Sequence, residues 1–227
     1  MTSVDTTAAV LVSLEVATWT VVLSTPPAMA LGWLLARRSF WGKGLLSAVL
    51  MVPMVLPPVV VGLLLLELVG RNTVLGGAFA AVGLPLSFSG AGAVLAAVVV
   101  SFPMYVLVAR SAFESVEPGL EDVAASLGDG PWRVFTRVTL PLAAPGIAAG
   151  AVLTFARALG EFGATIVLAG SQEGETRTIA LAVYALLDHP DGEPAIWPLV
   201  AMSAALSTVA LIGFELLNRR ARRWRER

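Results

Sequence analysis

Long apolar stretches separated by short charged ones set the pattern of this chain. Residues 8–36 carry one charge, Glu15, and end against Arg37 and Arg38. Residues 46–69 hold one charge near their far end, Glu67, and residues 90–109 hold none. Residues 142–169 are apolar apart from Arg157 and Glu161, and residues 195–217 apart from Glu215. A helix needs about 20 mostly apolar residues to cross a hydrocarbon core of roughly 30 Å, so each stretch predicts a transmembrane helix. The segment 178–187 (TIALAVYALL) is apolar but too short to cross, and reads as a helix lying on the outer face or dipping into it. The pattern therefore predicts an all-α integral membrane protein with five transmembrane helices.

Composition agrees. The chain has 227 residues, 57% hydrophobic and 14% charged, with a mean hydropathy of +0.82, whereas soluble domains carry about 25% charged residues. Five spans use most of this length, so residues 1–227 read as a single transmembrane domain. There are no cysteines and one histidine, His189, which excludes thiolate catalysis and leaves no imidazole cluster for a metal. No metal site and no catalytic residue are expected. His189, in the outer Asp188-His189-Pro190-Asp191 stretch, reads as a solvated turn residue.

Charge position sets the expected orientation. Arg37, Arg38 and Lys43 follow the first span; Arg110, Arg133 and Arg137 follow the third; Arg219, Arg220, Arg222, Arg223, Arg225 and Arg227 follow the fifth. The opposite loops hold only Arg71 and Arg177. The positive-inside rule then places the N-terminus outside and the C-terminus in the cytoplasm. No Lys or Arg precedes the first span, so it lacks the basic start of a cleavable signal and is expected to be retained.

The longest cytoplasmic loop, 110–141, is the most informative segment. Pro118 opens a helix in which Leu120, Val123, Ala124 and Leu127 recur at helical spacing up to Gly128. Pro131 opens a second, with Val134, Phe135 and Val138 on one face, ended by Leu140-Pro141. Two short amphipathic helices thus meet at Gly128-Asp129-Gly130. Such a hairpin can lie on the inner leaflet. The acids Glu114, Glu117, Glu121, Asp122 and Asp129 outnumber the loop's basic residues, however, and an anionic leaflet repels them, which favours a protein partner.

Asp122-Val123-Ala124, Gly128 six positions after Asp122, Val138 and Leu140-Pro141 resemble the cytoplasmic loop signature of ATP-binding-cassette importer permeases. That signature is Glu-Ala-Ala, then glycine after three residues, then Ile-x-Leu-Pro after nine. The spacing matches throughout, with Asp122 where Glu is usual, Val123 where Ala is, and Val138 for Ile. The resemblance implies the type I importer permease fold. It also implies that Glu121, Asp122, Val123, Ala124, Gly128, Val138, Leu140 and Pro141 couple the chain to a separate ATPase.

Four further segments narrow it: Ala36-Arg37-Arg38-Ser39-Phe40 with Gly42-Lys43; Val55-Leu56-Pro57-Pro58-Val59-Val60-Val61-Gly62; Gly160-Glu161-Phe162-Gly163-Ala164-Thr165; and Gly174-Glu175-Thr176-Arg177-Thr178. Together they are similar to permease subunits of molybdate importers, and sulfate importer permeases share much of the pattern. This implies a multi-pass protein of the bacterial cytoplasmic membrane. Its partners would be a second copy of itself, two ATPase subunits, an extracytoplasmic molybdate-binding protein and membrane lipid, with no nucleic acid. The chain has no phosphate-binding Gly-x-x-x-x-Gly-Lys-[Ser/Thr], so no cofactor is expected on it, and ATP and magnesium would be used by the ATPase. Sulfate or tungstate is the alternative cargo. An intramembrane enzyme or sensor without an ATPase is the alternative class, and the lack of Cys, His or facing carboxylates in the spans argues against it.

Two features inside the spans are candidates for a translocation path. Pro53, Pro57 and Pro58 interrupt the second span and Pro103 the third, since proline has no N–H to give. Carbonyls freed this way are tolerated only against protein or a watery cavity. Each proline is either beside a path or a bend packed on its neighbours. Arg157 and Glu161 are one helical turn apart, where opposite charges pair, and intramembrane charge is expensive. They either line an anion path or form a structural bridge.

Overall fold

The structure, a computed structural model, describes residues 5–188 and 192–225. The His189 turn lies outside the described residues. So does Arg227, and so do the side chains of Arg220, Arg222, Arg223 and Arg225. Among the described residues the chain is helical, with no strand: α1 (Thr6–Arg37), α2 (Lys43–Val55), α3 (Pro58–Val69), α4 (Val74–Ala81), α5 (Gly90–Glu114), α6 (Pro118–Ser126), α7 (Pro131–Val134), α8 (Leu140–Leu159), α9 (Gly163–Leu168), α10 (Ile179–Leu187) and α11 (Glu193–Arg225). Side chains start several of them: the Asp5 carboxylate accepts from the N–H groups of Thr7 and Ala8, the Ser89 hydroxyl from Gly92, and Thr178 from Leu181. These caps satisfy donors that a helix leaves open.

Four helical stretches are long and apolar enough to cross a membrane, and the bent pair α2 and α3 makes a fifth. The first, third and fifth spans lie where the apolar pattern puts them, with α5 continuing to Glu114 and α11 to Arg225. The second and fourth differ. Residues 46–69 are not one helix: α2 and α3 meet at an angle of 110° across Leu56-Pro57. At 1.5 Å per residue they are about 20 and 18 Å long, so neither crosses alone. Pro57 and Pro58 supply no N–H to the preceding turn, and the residue before a proline is driven out of the helical region. Leu56, at ψ 143, is extended accordingly.

The fourth span is displaced toward the N-terminus. Helix runs without a break from Pro131 to Leu159, and residues 163–168 form the separate α9. The segment 131–141 is therefore the first part of the span and not a free amphipathic helix ended by Leu140-Pro141. A π turn at Phe135–Thr139, in which the Leu140 N–H reaches Phe135 O, lets the helix continue. Proline within a helix removes a hydrogen bond and crowds the carbonyl four residues back, and a wide turn just before Pro141 accommodates it.

Helices α1, α5 and α8 form the centre. Lipid is as apolar as leucine, so membrane helices gain from close backbone approach through small residues. Here Gly32 of α1 lies on Ala109 of α5, where an added Cβ would come within 2.8 Å of the alanine Cβ. Gly146 of α8 meets Ala112 in the same way, and Gly150 lies on the ring of Tyr105. Tyr105 is fully buried, and its hydroxyl shares a 2.9 Å hydrogen bond with Thr25 of α1. Outward faces carry exposed Leu, Val and Ile such as Leu23, Leu63, Leu64 and Ile212. The short α10 buries Ile179, Leu181, Ala182 and Leu186, and Ile179 and Leu186 cluster with Ala9 of α1 and Leu199 of α11.

Helices α3 and α9 also approach closely, here backbone on backbone. A Cβ on Gly62 would lie 2.8 Å from both Cα and O of Ala164, and a Cβ on Gly163 would lie 2.9 Å from Pro58 Cβ. Val61, Leu65, Val69, Ala164 and Leu168 close over this contact together with Ala96 and Val100 of α5. Because backbone atoms oppose Gly62, they cannot turn aside as a side chain would. Gly62→Val is expected to destabilise the protein by about 1–3 kcal/mol, the range for overpacking, read as a lower unfolding temperature in detergent. Gly44→Ala, which faces open space, leaves that temperature unchanged.

Candidate functional site

Two regions bring the singled-out residues together. The first is at the end of the bundle where α1 finishes and α8 begins. No residue of α6 is buried, so apolar burial does not hold it in place. Glu121 does so instead. Its Oε1 accepts from Arg37 Nη2 at 3.0 Å and from the Thr139 hydroxyl at 2.6 Å. The same Arg37 nitrogen donates to Val116 O at 2.9 Å. Asp122 and Val123 are exposed on α6, while Ala124, Val138 and Leu140 are half-buried and Pro141 is exposed.

Gly128 closes α6. Its φ is +95°, its N–H donates to Ala125 O, and the next N–H, of Asp129, reaches back to Ala124 O. These two bonds are a Schellman ending, which places glycine at this position because the left-handed conformation costs other residues roughly 1–2 kcal/mol. Asp129 then lies 3.9 Å from both Arg133 and Arg137. Beyond the turn, Phe135 packs with Trp132 (centroids 5.8 Å apart), Trp33 and Phe113. This knuckle leaves apolar side chains uncovered: Leu120, Val123, Leu127 at 82% and Trp132 at 74% exposure. A cavity of about 540 Å³ opens beside it, walled by Trp33, Arg37, Arg38, Glu121, Asp122 and Asp129. Exposed apolar groups on an acidic, well-defined surface suit a protein partner.

The second region is the break between α8 and α9. The sequence places Arg157 and Glu161 one turn apart on a helix, but α8 ends at Leu159, so their pair spans the break. Arg157 Nη1 donates to Glu161 Oε2 at 3.0 Å, and Glu161 Oε1 accepts the Ala164 N–H at 2.9 Å. Glu161 is 2% exposed and Arg157 37%. One carboxylate thus holds the end of α8 and the start of α9, and Gly163 beside it touches Pro58. The proline-rich and Gly160–Thr165 segments, separate in sequence, are one structural unit. Pro53 sits within α2, one turn before the bend. Pro103 is buried in α5, one turn past Val100, which packs on α3. Among the described residues no cluster of acids and histidines suits a metal ion.

Residues 28–223 match the family model described as binding-protein-dependent transport system inner membrane component. The chain belongs to this family. The molybdenum transport system permease protein ModB of Escherichia coli K12 is 49% identical over 215 residues, 94% of each chain. The proteins of the same name from Haemophilus influenzae and Mycobacterium tuberculosis are 45% and 40% identical, covering 93% and 91% of this chain and 93% and 78% of theirs. Among solved structures, a chain of the MetNI methionine ABC transporter in inward-facing form superposes with a TM-score of 0.72 at 15% identity, covering 94% of each. A chain of a bacterial alginate ABC transporter, in complex with its pentasaccharide-bound periplasmic protein, superposes at 0.70 and 20% identity, covering 99% of this chain and 81% of that one. The fold is that of type I importer permeases. The permease is a multi-pass protein of the cytoplasmic membrane.

Residue-by-residue reading of the chain misses Arg37 and Thr139 as site residues. Arg37 registers as a topology charge and as part of the Ala36–Phe40 resemblance, without a role, and it lies 84 positions from Glu121. Thr139 fills the variable place in Val138-x-Leu140-Pro141, and nothing in the spacing marks it.

The break makes an asymmetric prediction. Arg157→Met leaves the buried Glu161 carboxylate with the Ala164 N–H as its remaining partner. That is expected to cost on the order of 3 kcal/mol, reduced from the fully buried case by the exposure of Arg157. Glu161→Gln keeps an acceptor for Ala164 and frees a cation that already reaches solvent, so it costs less. The double variant recovers part of the Arg157→Met loss in denaturation of the purified permease. Losses that simply add would show that the two side chains do not act as a pair.

Proposed function

We propose that this permease carries molybdate inward across the bacterial cytoplasmic membrane as a homodimer. Its N-terminus is outside and its C-terminus inside, two ATPase subunits dock at the α6 knuckle, and an extracytoplasmic molybdate-binding protein delivers the cargo. Its role is non-catalytic: the chain binds no cofactor, and ATP and magnesium are used by the ATPase. The names of the relatives at 40–49% identity support molybdate. The observation that carries the coupling role is the knuckle itself, an exposed apolar surface fixed by the Gly128 turn on residues that match the importer signature. Basic residues Arg37, Arg38, Arg133, Arg137 and Arg219 gather at the knuckle end, which supports the orientation. An ATPase-independent enzyme or sensor finds no support in the names of the relatives given above, which are transport permeases.

Arg157, Glu161 and the bend at Pro53, Pro57 and Pro58 are assigned to the translocation path, with Pro103 behind them. A path of this kind holds its cargo weakly. Arg157 is the one cation in residues 142–169, and its charge is already met by Glu161. At the opposite end, Arg177 is occupied by Ser171 and Glu173, and Glu173 also accepts the Asp5 N–H. The acids Glu173, Glu175, Asp188, Asp191 and Glu193 in 170–194 repel a free dianion, so this end suits a docked protein. Conduction in any case requires binding weak enough to release. Sulfate and tungstate are tetrahedral dianions too, and discrimination among the three falls to the binding protein.

Two experiments test this. Gly128→Trp puts a bulky residue at a positive φ and distorts the knuckle. It is expected to abolish transport and cargo-stimulated ATP hydrolysis while the permease still reaches the membrane. Normal coupled hydrolysis in that variant would remove the knuckle from the docking site. Titrating molybdate, tungstate and sulfate into the purified permease with its ATPase, without the binding protein, is expected to show no measurable affinity. A selective submillimolar site would show that the permease itself reads the cargo.

A further inference from the structure

We infer that Arg37, outside the importer signature, is the positioning residue that makes α6 move as one body with α1 and α8. The inference rests on the importer reading above. Three observations carry it. First, α6 has no buried residue, so its position on the permease depends on polar contacts and on its two chain connections. Second, those contacts converge on one carboxylate oxygen: Glu121 Oε1 accepts a hydrogen bond from Arg37 Nη2 and another from the Thr139 hydroxyl. Arg37 is the last residue of α1, and Thr139 closes the π turn that leads into α8. Third, the same guanidinium nitrogen also holds Val116 O, in the turn between α5 and α6. Four segments are strapped through two side chains, Arg37 and Glu121.

The geometry is not the one that pair stability alone would select. An Arg–carboxylate pair is strongest when two parallel N–H groups meet two oxygens. Here one nitrogen serves two different segments, while Arg37 Nε is buried without a partner among the described residues. The one nitrogen, Nη2, ties the segments together. Arg37 and Glu121 are 15% and 22% exposed, so the strap is shielded from solvent and weakly screened by salt. On the exposed side of α6, Asp122, Val123 and Leu127 remain available to the ATPase. A displacement of α6 by the ATPase is therefore delivered to α1 through Arg37 and to α8 through Thr139.

The test uses the complete importer in proteoliposomes, with transport and ATP hydrolysis measured with and without cargo-loaded binding protein. In Arg37→Met the ATPase still co-purifies with the permease. Stimulation of hydrolysis by the loaded binding protein falls roughly tenfold, within the usual scale of coupling between sites, and cargo moved per ATP falls with it. Arg37→Lys, a point charge without the planar fork, restores part of the stimulation. Glu121→Gln added to Arg37→Met lowers it no further, because the Arg37 contact is already cut and the glutamine amide oxygen still accepts from Thr139. Wild-type stimulation in both Arg37→Met and Glu121→Gln would overturn the assignment. If either variant does not accumulate, Arg37→Lys and Thr139→Val are read in its place, and unchanged stimulation in both would overturn it equally. Failure of the unaltered permease to co-purify with any ATPase would overturn the importer reading, and this assignment with it. That result is distinct from coupled variants in an intact complex.

Discussion

Two breaks in the helices of a membrane protein must be sheltered from lipid, and in this permease they shelter each other. Hydrocarbon offers no hydrogen bonds, so irregular backbone at membrane depth survives only against protein or a watery cavity. Leu56-Pro57 breaks one span, and Gly160–Phe162 separates the end of another from α9. Gly62 and Gly163 then let the two short helices beyond the breaks approach until backbone lies on backbone. Glu161 completes the arrangement by taking the Ala164 N–H that the second break exposes. A buried carboxylate in such a place is tolerable only with a cation, and Arg157 supplies it at 3.0 Å. Prolines, glycines and the ion pair are thus parts of one solution to one constraint.

The other end of the bundle is built on the opposite principle. On the proposed reading the structural elements there meet water and a partner; the knuckle is held by charge and capping and keeps its apolar side chains outside. Leu127 and Trp132 would be costly on a free soluble surface, but in a subunit whose family works with other subunits they are surface held ready for contact. The Schellman turn at Gly128 fixes their direction without needing burial.

Most of the span pattern was legible in the chain because a membrane helix must be apolar for its whole length, a signal that survives without any tertiary information. The signature loop was legible for a related reason: Pro118, Gly128 and Leu140-Pro141 are local backbone requirements that show in residue type. What could not be read was how breaks resolve. Pro57-Pro58 marks an interruption, but the 110° turn depends on α9 being there to receive α3. Pro141 looks like a helix stop, and it is absorbed by a π turn because the packing of Ala143, Ile147 and Gly150 on α5 holds α8 straight through it. Arg157 and Glu161 were legible as a pair by spacing, yet the helix that the spacing assumed ends between them. Arg37 and Glu121 pair across 84 positions, and no local pattern announces such a contact.

These features share one rod. Helix α8 follows the π turn whose Thr139 binds Glu121 and ends two residues past Arg157, whose partner Glu161 accepts the Ala164 N–H in the first turn of α9. Its 20 residues span about 30 Å at helical rise, the thickness of the hydrocarbon core. Small residues seat it on α5, where Gly146 and Gly150 leave no slack against Ala112 and Tyr105, and interiors packed this closely transmit strain instead of absorbing it. On the proposed reading, a shift of the knuckle enters the rod at Thr139 and leaves it at Arg157, beside the paired breaks. The breaks are where the backbone has the fewest hydrogen bonds along its own helices to lose, so they are where a displacement is accommodated at least cost. That placement puts the compliant part of the permease at the far end of the rod and the stiff part between it and the knuckle, which is the order a lever requires.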